Sequence, residues 1–542
     1  MKSLKAQRSN HANLWVSVVV LIALVLPAVA QVAVTTQHND NNRSGQNLNE
    51  TVLNTSNVNV SSFGRLFARH VDGQIYAQPL YVPNLVIGKV KRNVVYVVTE
   101  ANNVYAFDAD DANAFSPLWS VNLGTPVPYT DIASYCVDIH PQIGITGTPV
   151  IDTVTNTIYV VAKSKDVNTN TFRFMLHALD LISGREKSGS PVTIAGRVKG
   201  TGYDSHNGYV QFRPLYHNNR PGLLLLNGVV YVGFGSTCDT QPWHGWVFGY
   251  DAATLAQTNI FNATPNGYSG GIWGAGTGLA ADADNIYIMT GNGTFDATAP
   301  VPTDYGDSVV KINVSSGLKA VDYFTPFDQS FLNHNDVDLG SGAPMIIPGT
   351  SFIVGIGKDA SLRLMDSNNL GQYHGSYNGD LQEFLATTPP FFAPFMGTPI
   401  YWNSPNFGPV IYIWGSGDYL KAYQFSNGLF NETPITQSTT AGVIGYSNSV
   451  PLSLSANNSQ TGTGIVWAAG PYSGDANQKT VKGIVRAFDA TNLGVELWNS
   501  QQNATRDAVG LYAKFCPPTV ANGKVYVATF SGQLVVYGLL GK

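Results

Sequence analysis

Eight segments of similar sequence recur along this chain, and most of them end a short apolar run with Asp. The first is Val-Tyr-Ala-Phe-Asp at 104–108. The eight segments are 104–108, 176–180, 247–251, 309–313, 362–366, 420–424, 485–489 and 534–538. Their last residues lie 49 to 72 positions apart. A sequence that repeats at such intervals is typical of an array of small structural units.

Each repeat also contains other strand signals. A small-residue or proline-containing run and an apolar run such as Val94–Val98 precede the recurring segment, and seven repeats are followed by a further candidate such as 117–121. Short alternating runs bounded by Gly, Asn and Asp dominate, whereas the 3.6-residue period of a helix is not sustained. The chain is therefore predicted to be all-β, with four strands in each unit.

The eighth repeat has no strand candidate after it, while the segment 63–71 precedes the first repeat without a partner. Pairing this segment with the last repeat would close a ring and remove an exposed sheet edge. We therefore predict one eight-bladed β-propeller over residues 62–542, closed by its N-terminal strand. A β-solenoid or a pair of β-sandwiches is the rival prediction, but solenoids lack a four-strand rhythm and sandwiches lack the recurring ending.

The first thirty residues are typical of a secretory signal peptide. Three basic residues precede an apolar run at 14–26, and Ala-Val-Ala at 28–30 is a small-x-small cleavage pattern. No later segment approaches 18 uninterrupted apolar residues, so no membrane span is predicted. We expect an extracellular, secreted protein.

Glycosylation and one disulfide are expected in that compartment. Acceptor sequons cluster at 42–59 and predict an exposed, glycosylated leader segment over residues 31–61. Of Cys136, Cys238 and Cys516, one pair can form a bridge. We favour Cys136–Cys238 because both residues lie in long connections.

Charge and motif content exclude several classes of function. The net charge is −5, which provides no basic surface for phosphate backbones, so nucleic acid is not a predicted partner. The sequence has no Gly-x-x-x-x-Gly-Lys-Ser/Thr loop and no His-Glu-x-x-His. Their absence removes the commonest nucleotide and zinc-protease interpretations.

The repeat that ends in Tyr-Ala-Phe-Asp-Ala or His-Ala-Leu-Asp-Leu-Ile-Ser-Gly, followed by a Trp-containing strand, resembles that of the pyrroloquinoline quinone (PQQ) propellers. The resemblance spans nearly the whole mature chain. The better-known members of this family are alcohol dehydrogenases that hold PQQ and a divalent cation in a central channel. A shared fold does not fix function, so the site residues must be compared one by one.

Three residues match the family's floor, metal ligand and base. Trp273, in Gly-Gly-Ile-Trp-Gly, matches the floor tryptophan, a flat ring on which a quinone would stack. Asn292, in Gly-Asn-Gly, matches a metal ligand, and Asp338 matches both the catalytic base and a ligand of the same ion. Each also has an ordinary interpretation as a packing or turn residue, and a glycan on Asn292 would exclude the metal role.

Three further residues match less closely. Lys358 corresponds to the basic residue that contacts the quinone, although a solvated turn lysine is the alternative. Asp239 lies near the family's metal-binding glutamate but is one methylene shorter. Cys136 stands where the family has two adjacent cysteines above the cofactor, so that vicinal bridge cannot form, and the arginine that follows the pair is not evident.

The resemblance implies a PQQ- and calcium-dependent dehydrogenase that acts on an alcohol or a sugar. The sequence has no Cys-x-x-Cys-His for attached haem, so an external electron acceptor would be needed. The alternative is a non-catalytic extracellular scaffold that binds a glycan or a protein. Whether the chain is an enzyme stays open at this stage.

Overall fold

The strands follow the predicted repeat. A computed structural model describes residues 31–296, 302–388 and 395–541, so the predicted signal peptide lies outside the described residues. Eight largely antiparallel sheets, here called blades 1 to 8, account for most of the structure. Each is built on four strands, and the sheets of blades 3, 6 and 7 also carry a fifth, short strand. Blades 1 to 4 consist of Leu80–Ile87, Val90–Val98, Asn103–Asp108 and Trp119–Asn122; Val150–Asp152, Thr157–Asp166, Thr171–Asp180 and Val192–Thr193; Leu224–Leu226, Val229–Ser236, Trp246–Asp251 and Gln257–Asn262; and Ala280–Ala281, Asn285–Met289, Val309–Asn313 and Lys319–Phe324. Blades 5 to 8 consist of Met345–Ile346, Phe352–Ile356, Ser361–Asp366 and Gln382–Leu385; Ile400–Ser404, Gly408–Trp414, Tyr419–Ser426 and Thr436–Ala441; Leu452–Ser455, Ile465–Pro471, Gly483–Asp489 and Glu496–Asn499; and Thr519–Ala521, Lys524–Ala528, Gln533–Leu539 and Phe63–His70. The predicted eight-bladed, all-β propeller is confirmed.

Short elements lie in the connections. The short strands are Gln46–Asn47, Val127–Pro128, Gln142–Ile143, Arg197–Lys199, Tyr209–Gln211, His217–Asn218 and Leu429–Phe430. The helical elements are the α-helices Gln329–His334 and Ala504–Asp507 and the 3₁₀ turns Tyr129–Asp131, Gly274–Gly276 and Leu339–Ser341. None of the helices in the described ranges has the length and apolar character needed to cross a bilayer.

The central strands of each blade are buried on both faces because neighbouring blades pack against them. In blade 1, all five residues of Val94–Val98 are buried, as a continuous apolar run predicts. Tyr96 also reaches the next blade, where its hydroxyl donates to the carbonyl of Leu181 at 2.9 Å. Apolar clusters of this kind fill the spaces between the sheets.

The ring closes between the two ends of the repeat array. Phe63–His70 pairs antiparallel with Gln533–Leu539 and becomes the outer strand of blade 8. The Phe63 ring lies against Trp467 and Trp498 of blade 7, with centroid distances of 5.4 and 5.0 Å. The predicted closure by the N-terminal strand is therefore confirmed.

The segment before that strand differs from the exposed leader that we expected over 31–61. Residues 34–47 form a strap that contacts the innermost strand of every blade, through hydrogen bonds to Tyr81, Ile151, Leu225, Ala281, Ile346, Tyr401, Leu454 and Val520. Arg43 and Ser44 in the strap are fully buried. The strap is part of the compact unit that begins at Gln31. Its backbone groups are hydrogen-bonded to the blades because buried polar backbone needs partners.

The antiparallel meander brings two sets of loops to the same face of the ring. A blade's first strand runs away from this face and its second strand returns, so the loop between the second and third strands emerges there. The connection from each outer strand to the next blade's inner strand emerges at the same face. These loops carry the candidate site.

Candidate active site

A cavity of about 410 Å³ opens among these loops. Connections between successive blades supply Cys136, Arg220, Trp273, Asp338, Tyr446 and Lys514, and loops within blades 3, 5 and 7 supply Asp239, Lys358 and Asn477. Five of the six residues predicted from the sequence line the cavity, and the sixth, Asn292, contacts Asp336 and Asp338 of its wall. The structure therefore brings all six together, although their roles stay predictions.

Trp273 lies between blades 3 and 4, just before the tight turn Gly274–Gly276. Its indole packs on Gly235, where an added Cβ would lie 3.0 Å from the ring, closer than nearly all real Cβ contacts, so glycine favours this close approach. Trp243 contacts Trp273 edge-on, with a centroid distance of 6.0 Å. The indole is thus held in place and lines the cavity, as a stacking platform requires.

Asp338 is fixed by donors on both carboxylate oxygens. The backbone N–H of Asn292 donates to Oδ1 at 2.7 Å, and the Lys358 ammonium lies 2.5 Å from Oδ2. Asp338 is 8% exposed. At Gly291 an added Cβ would collide with Asp338 Oδ1 and lie 3.3 Å from Trp273 Cδ1. The carboxylate and the indole are therefore direct neighbours across Gly291.

Lys358 bridges two carboxylates. Besides Asp338, its Nζ contacts Asp336 Oδ1 at 3.0 Å and donates to the carbonyl of Asp336 at 3.1 Å. The Tyr446 hydroxyl donates to the other oxygen of Asp336 at 3.1 Å. Burial alone would lower the pKa of Lys358, but the charges of Asp338, Tyr446 and Asp336 outweigh burial and raise it. Lys358 therefore stays charged inside the cavity.

Asp239 approaches the same group from blade 3. Its backbone has a φ of 49°, and the Ser236 hydroxyl donates to its Oδ1 at 3.1 Å. Burial, with the charge of Asp338 nearby, raises the pKa of Asp239 to about 6. Asp239 forms no ion pair with a described residue, although the charge of Lys358 acts on it. A carboxylate in this position, close to a second carboxylate, is one that a bound cation would stabilise.

A disulfide joins Cys136 to Cys238, the residue before Asp239, and Cys516 is free and buried. The favoured pairing is confirmed. The bridge links the connection between blades 1 and 2 to the loop that carries Asp239, so it restrains that loop at the cavity wall.

The donor set fits a hard divalent cation in chemistry. Asn292 Oδ1 is buried and has no hydrogen-bond donor, while the Asn292 amide group donates to Asp336 at 2.9 Å. Asp239, Asp336 and Asp338 offer carboxylate oxygens, the ligands that calcium prefers. The oxygens of these three carboxylates do not all lie within 4.8 Å of one another. Among the described His, Cys, Asp and Glu residues, the one group of three whose ligand atoms do so is Cys136, Asp138 and Cys238. At least one of the three carboxylates would therefore have to move for all of them to bind one ion.

Sequence reasoning missed several residues of the cavity wall. Asp336 and Tyr446 pair with Lys358, and Arg220 and Lys514 place two more cations on the wall. Asp336 is two residues before Asp338 in the sequence, so its closeness to a predicted site residue could have indicated that it lies in the cavity. For Arg220 and Lys514 no local pattern indicates the cavity, because their loops meet only in the closed ring.

Comparisons with known proteins support the fold. No family model matches this chain, and no curated protein matches its sequence. Among solved structures, the quinohemoprotein alcohol dehydrogenase from Comamonas testosteroni is similar with a TM-score of 0.58 and 14% identity, over 95% of this chain and 82% of that chain. The quinohemoprotein alcohol dehydrogenase ADHIIG from Pseudomonas putida HK5 is similar with a TM-score of 0.56 and 14% identity, over 94% of this chain and 81% of that chain. The chain thus has the propeller fold of these two dehydrogenases, and the expected resemblance is confirmed at the level of the fold.

Proposed function

We propose that this chain is a secreted oxidoreductase of the quinoprotein type that oxidises an alcohol or a sugar, with PQQ and calcium in the cavity. One observation carries the proposal. A flat indole, a buried carboxylate and a charged lysine from separate loops line one cavity, and an amide oxygen for which the described residues provide no donor lies directly behind its wall. Such a combination in a concave site is typical of a catalytic centre.

The residues that would hold the cofactor follow from their chemistry. Trp273 would stack on the planar quinone, Lys358 would face its oxygens, and Asn292, Asp338 and Asp239 would share the cation. When bound, the quinone and its cation supply the two-electron acceptor that no side chain of this chain provides.

Asp338 would act as the base. The Asp338 carboxylate would accept the proton of the substrate hydroxyl. The quinone, when bound, would supply the acceptor for the carbon-bound hydrogen and its electron pair, so that a carbonyl product forms. Asn292 and Lys358 hold the carboxylate in place for this transfer. An external electron acceptor would be needed to take up the two electrons.

Secretion and glycosylation belong to the same proposal. The predicted signal peptide and the sequons support them, and a Cys136–Cys238 bridge is the kind of bond that persists in an oxidising compartment.

Reconstitution tests the proposal. The purified mature chain is incubated with calcium and PQQ, bound quinone is followed by absorbance, and dye reduction is measured with a panel of primary alcohols and aldoses. We expect Asp338→Asn to lower kcat by about 10²-fold or more while bound quinone is retained. Asp284→Asn, the same change in an exposed turn, should leave kcat unchanged.

The opposite result has a defined meaning. A wild-type chain that binds no quinone and reduces no dye across the panel would refute the enzyme proposal. The non-catalytic scaffold for a glycan or a protein would then be the remaining interpretation.

A further inference from the structure

One part of the cavity wall carries positive charge that the proposed chemistry does not use. Arg220 lies between blades 2 and 3, and Lys514 lies between blades 7 and 8 next to Phe515. Neither cation is within 4 Å of a carboxylate in the described part of the chain. Both line the same cavity as Trp273 and Asp338.

Arg220 is held by aromatic rings rather than by acids. Its guanidinium carbon lies 4.8 Å from the centroid of Phe515 and 5.4 Å from that of Tyr76. Over residues 31–296, 302–388 and 395–541 no protein acceptor takes a hydrogen bond from its side chain, and its nitrogens are not among the buried atoms sealed from solvent. Burial lowers the pKa of Arg220, but an arginine stays protonated. Its planar set of donors is therefore fixed in position and free to bind a ligand.

Lys514 lies beside it and is 4% exposed. Its ammonium donates to the backbone carbonyls of Ala476, at 3.3 Å, and Asn477. Burial lowers the pKa of Lys514 to about 8. Since an ammonium has three donors, one of them remains for a group in the cavity.

Two acids are close to these cations but do not pair with them. Asp138 lines the same cavity, and its charge acts on both Arg220 and Lys514, but among the described residues it forms no ion pair with either, and one of its carboxylate oxygens is buried without a donor. Glu100 accepts from the backbone N–H of Gly144 at 2.6 Å, and burial raises the pKa of Glu100 to about 7. A buried cation without a bonded anion is costly, so the wall is complementary to an anion that enters the cavity.

We propose that Arg220 and Lys514 form a carboxylate-binding site in the wall of this cavity. Arginine matches the two oxygens of a carboxylate with two parallel hydrogen bonds, and a lysine beside it adds a third contact. The carboxylate belongs either to the bound quinone, which carries several, or to an acidic substrate such as a uronic acid. The site does not require the quinone, so it can be tested apart from the proposed function.

Binding measurements on the full mature chain test this site. Titration calorimetry compares PQQ, D-glucuronate and D-glucose as probes, for the wild type, Arg220→Gln and Lys514→Gln. Arg185→Gln and Lys479→Gln remove equal charges from exposed positions and are the controls. Arg220→Lys keeps the charge but loses the paired geometry, and unfolding curves show whether each variant is folded.

We expect Arg220→Gln to raise the Kd for a carboxylate probe about tenfold or more, and Lys514→Gln to raise it less. The Kd of Arg220→Lys should lie between those of the wild type and Arg220→Gln. Both control variants should have a Kd within about twofold of the wild type. A loss confined to PQQ assigns the site to the cofactor, whereas a loss confined to glucuronate, with glucose unaffected, assigns it to a substrate. If Arg220→Gln does not fold, Lys514→Gln and Arg220→Lys decide whether carboxylate binding depends on this site.

Two results separate this inference from the proposed function. Glucuronate binding that depends on Arg220, in a chain that never binds PQQ, would refute the proposed function and retain the site. Carboxylate probes that bind equally well to folded wild type, Arg220→Gln and Lys514→Gln, or that do not bind the wild type at all, would overturn the site.

Discussion

The aspartates that end the recurring segments act on the backbone that follows them. Asp108 Oδ1 accepts from the N–H groups of Asp110 and Asp111 at 2.9 and 3.0 Å. Asp251 does the same for Ala253 and Thr254 at 3.1 and 2.8 Å. A carboxylate that bonds the backbone two and three residues ahead stabilises a turn. The repeated Asp therefore sends the chain from the third strand of a blade into its outer strand.

Asp304 is a carboxylate of a different kind. It is 2% exposed, and its Oδ1 accepts from the backbone N–H of Asn266 at 2.9 Å. Burial, with the charge of Asp296, outweighs that hydrogen bond and raises the pKa of Asp304 to about 6. Between pH 4 and pH 6 the folded chain therefore keeps a proton that the unfolded chain has lost, so Asp304 makes stability fall as pH rises through this window.

We expect Asp304→Asn to remove that pH dependence. Above pH 6 the variant should be more stable than the wild type by about 1 to 2 kcal/mol, and near pH 4 the difference should vanish. Thermal unfolding midpoints from pH 4 to pH 8 measure it, with Asp284→Asn as the exposed control. A difference that is the same at every pH would contradict the assignment.

The closing strand determines whether the ring is complete. Phe63–His70 supplies the outer edge of blade 8 through seven residue pairs with Gln533–Leu539. Its first residue, Phe63, is fully buried against two tryptophans of blade 7. One side chain thus anchors the strand both to its own sheet and to the neighbouring blade.

We expect Phe63→Ala to destabilise the chain by about 3 to 5 kcal/mol, because it leaves a cavity between blades 7 and 8. Phe115→Ala is the matched control, since Phe115 is 78% exposed and should change stability by about 0.5 kcal/mol or less. Denaturant unfolding followed by tryptophan fluorescence measures both. Similar losses in the two variants would show that the closing contact is not important.

At the scale of the whole molecule, the strap 34–47 joins all eight blades from inside the ring. Arg43 lies at its centre and is fully buried. Its side chain donates to the Leu279 carbonyl at 2.8 Å, to the Gln37 carbonyl at 2.8 Å and to the Thr36 hydroxyl at 2.7 Å. An added Cβ at Gly278 would lie 2.5 Å from the Arg43 guanidinium carbon. The missing side chain at Gly278, just before the inner strand of blade 4, therefore leaves room for the arginine.

We expect Arg43→Gln to cost about 3 kcal/mol or more, because several buried acceptors lose their donor at once. Arg185→Gln, at an exposed position, should have little effect on the unfolding midpoint. Limited proteolysis gives a second measurement, since a protease should cut a released strap, near the N-terminus of the described chain, before it cuts the blades. A variant as stable and as resistant as the wild type would refute a structural role for the strap.

Much of the fold could be predicted from the sequence because its causes are local. The alternation of apolar residues, the aspartate turns and the count of eight repeats each depend on residues within one blade. The unpaired segment at 63–71 was enough to predict closure. The family resemblance also placed Trp273, Asn292, Asp338 and Lys358 in loops, and these loops meet at one face of the ring.

Only the tertiary structure decided which distant residues meet. Residues 34–47 look like an exposed polar leader in the sequence, yet they are buried because the centre of the ring supplies partners for their backbone groups. Arg220 and Lys514 lie in connections between different pairs of blades and become neighbours only when the ring closes. Periodicity reports which way a side chain faces within its own strand, whereas a shared cavity depends on the positions of separate blades.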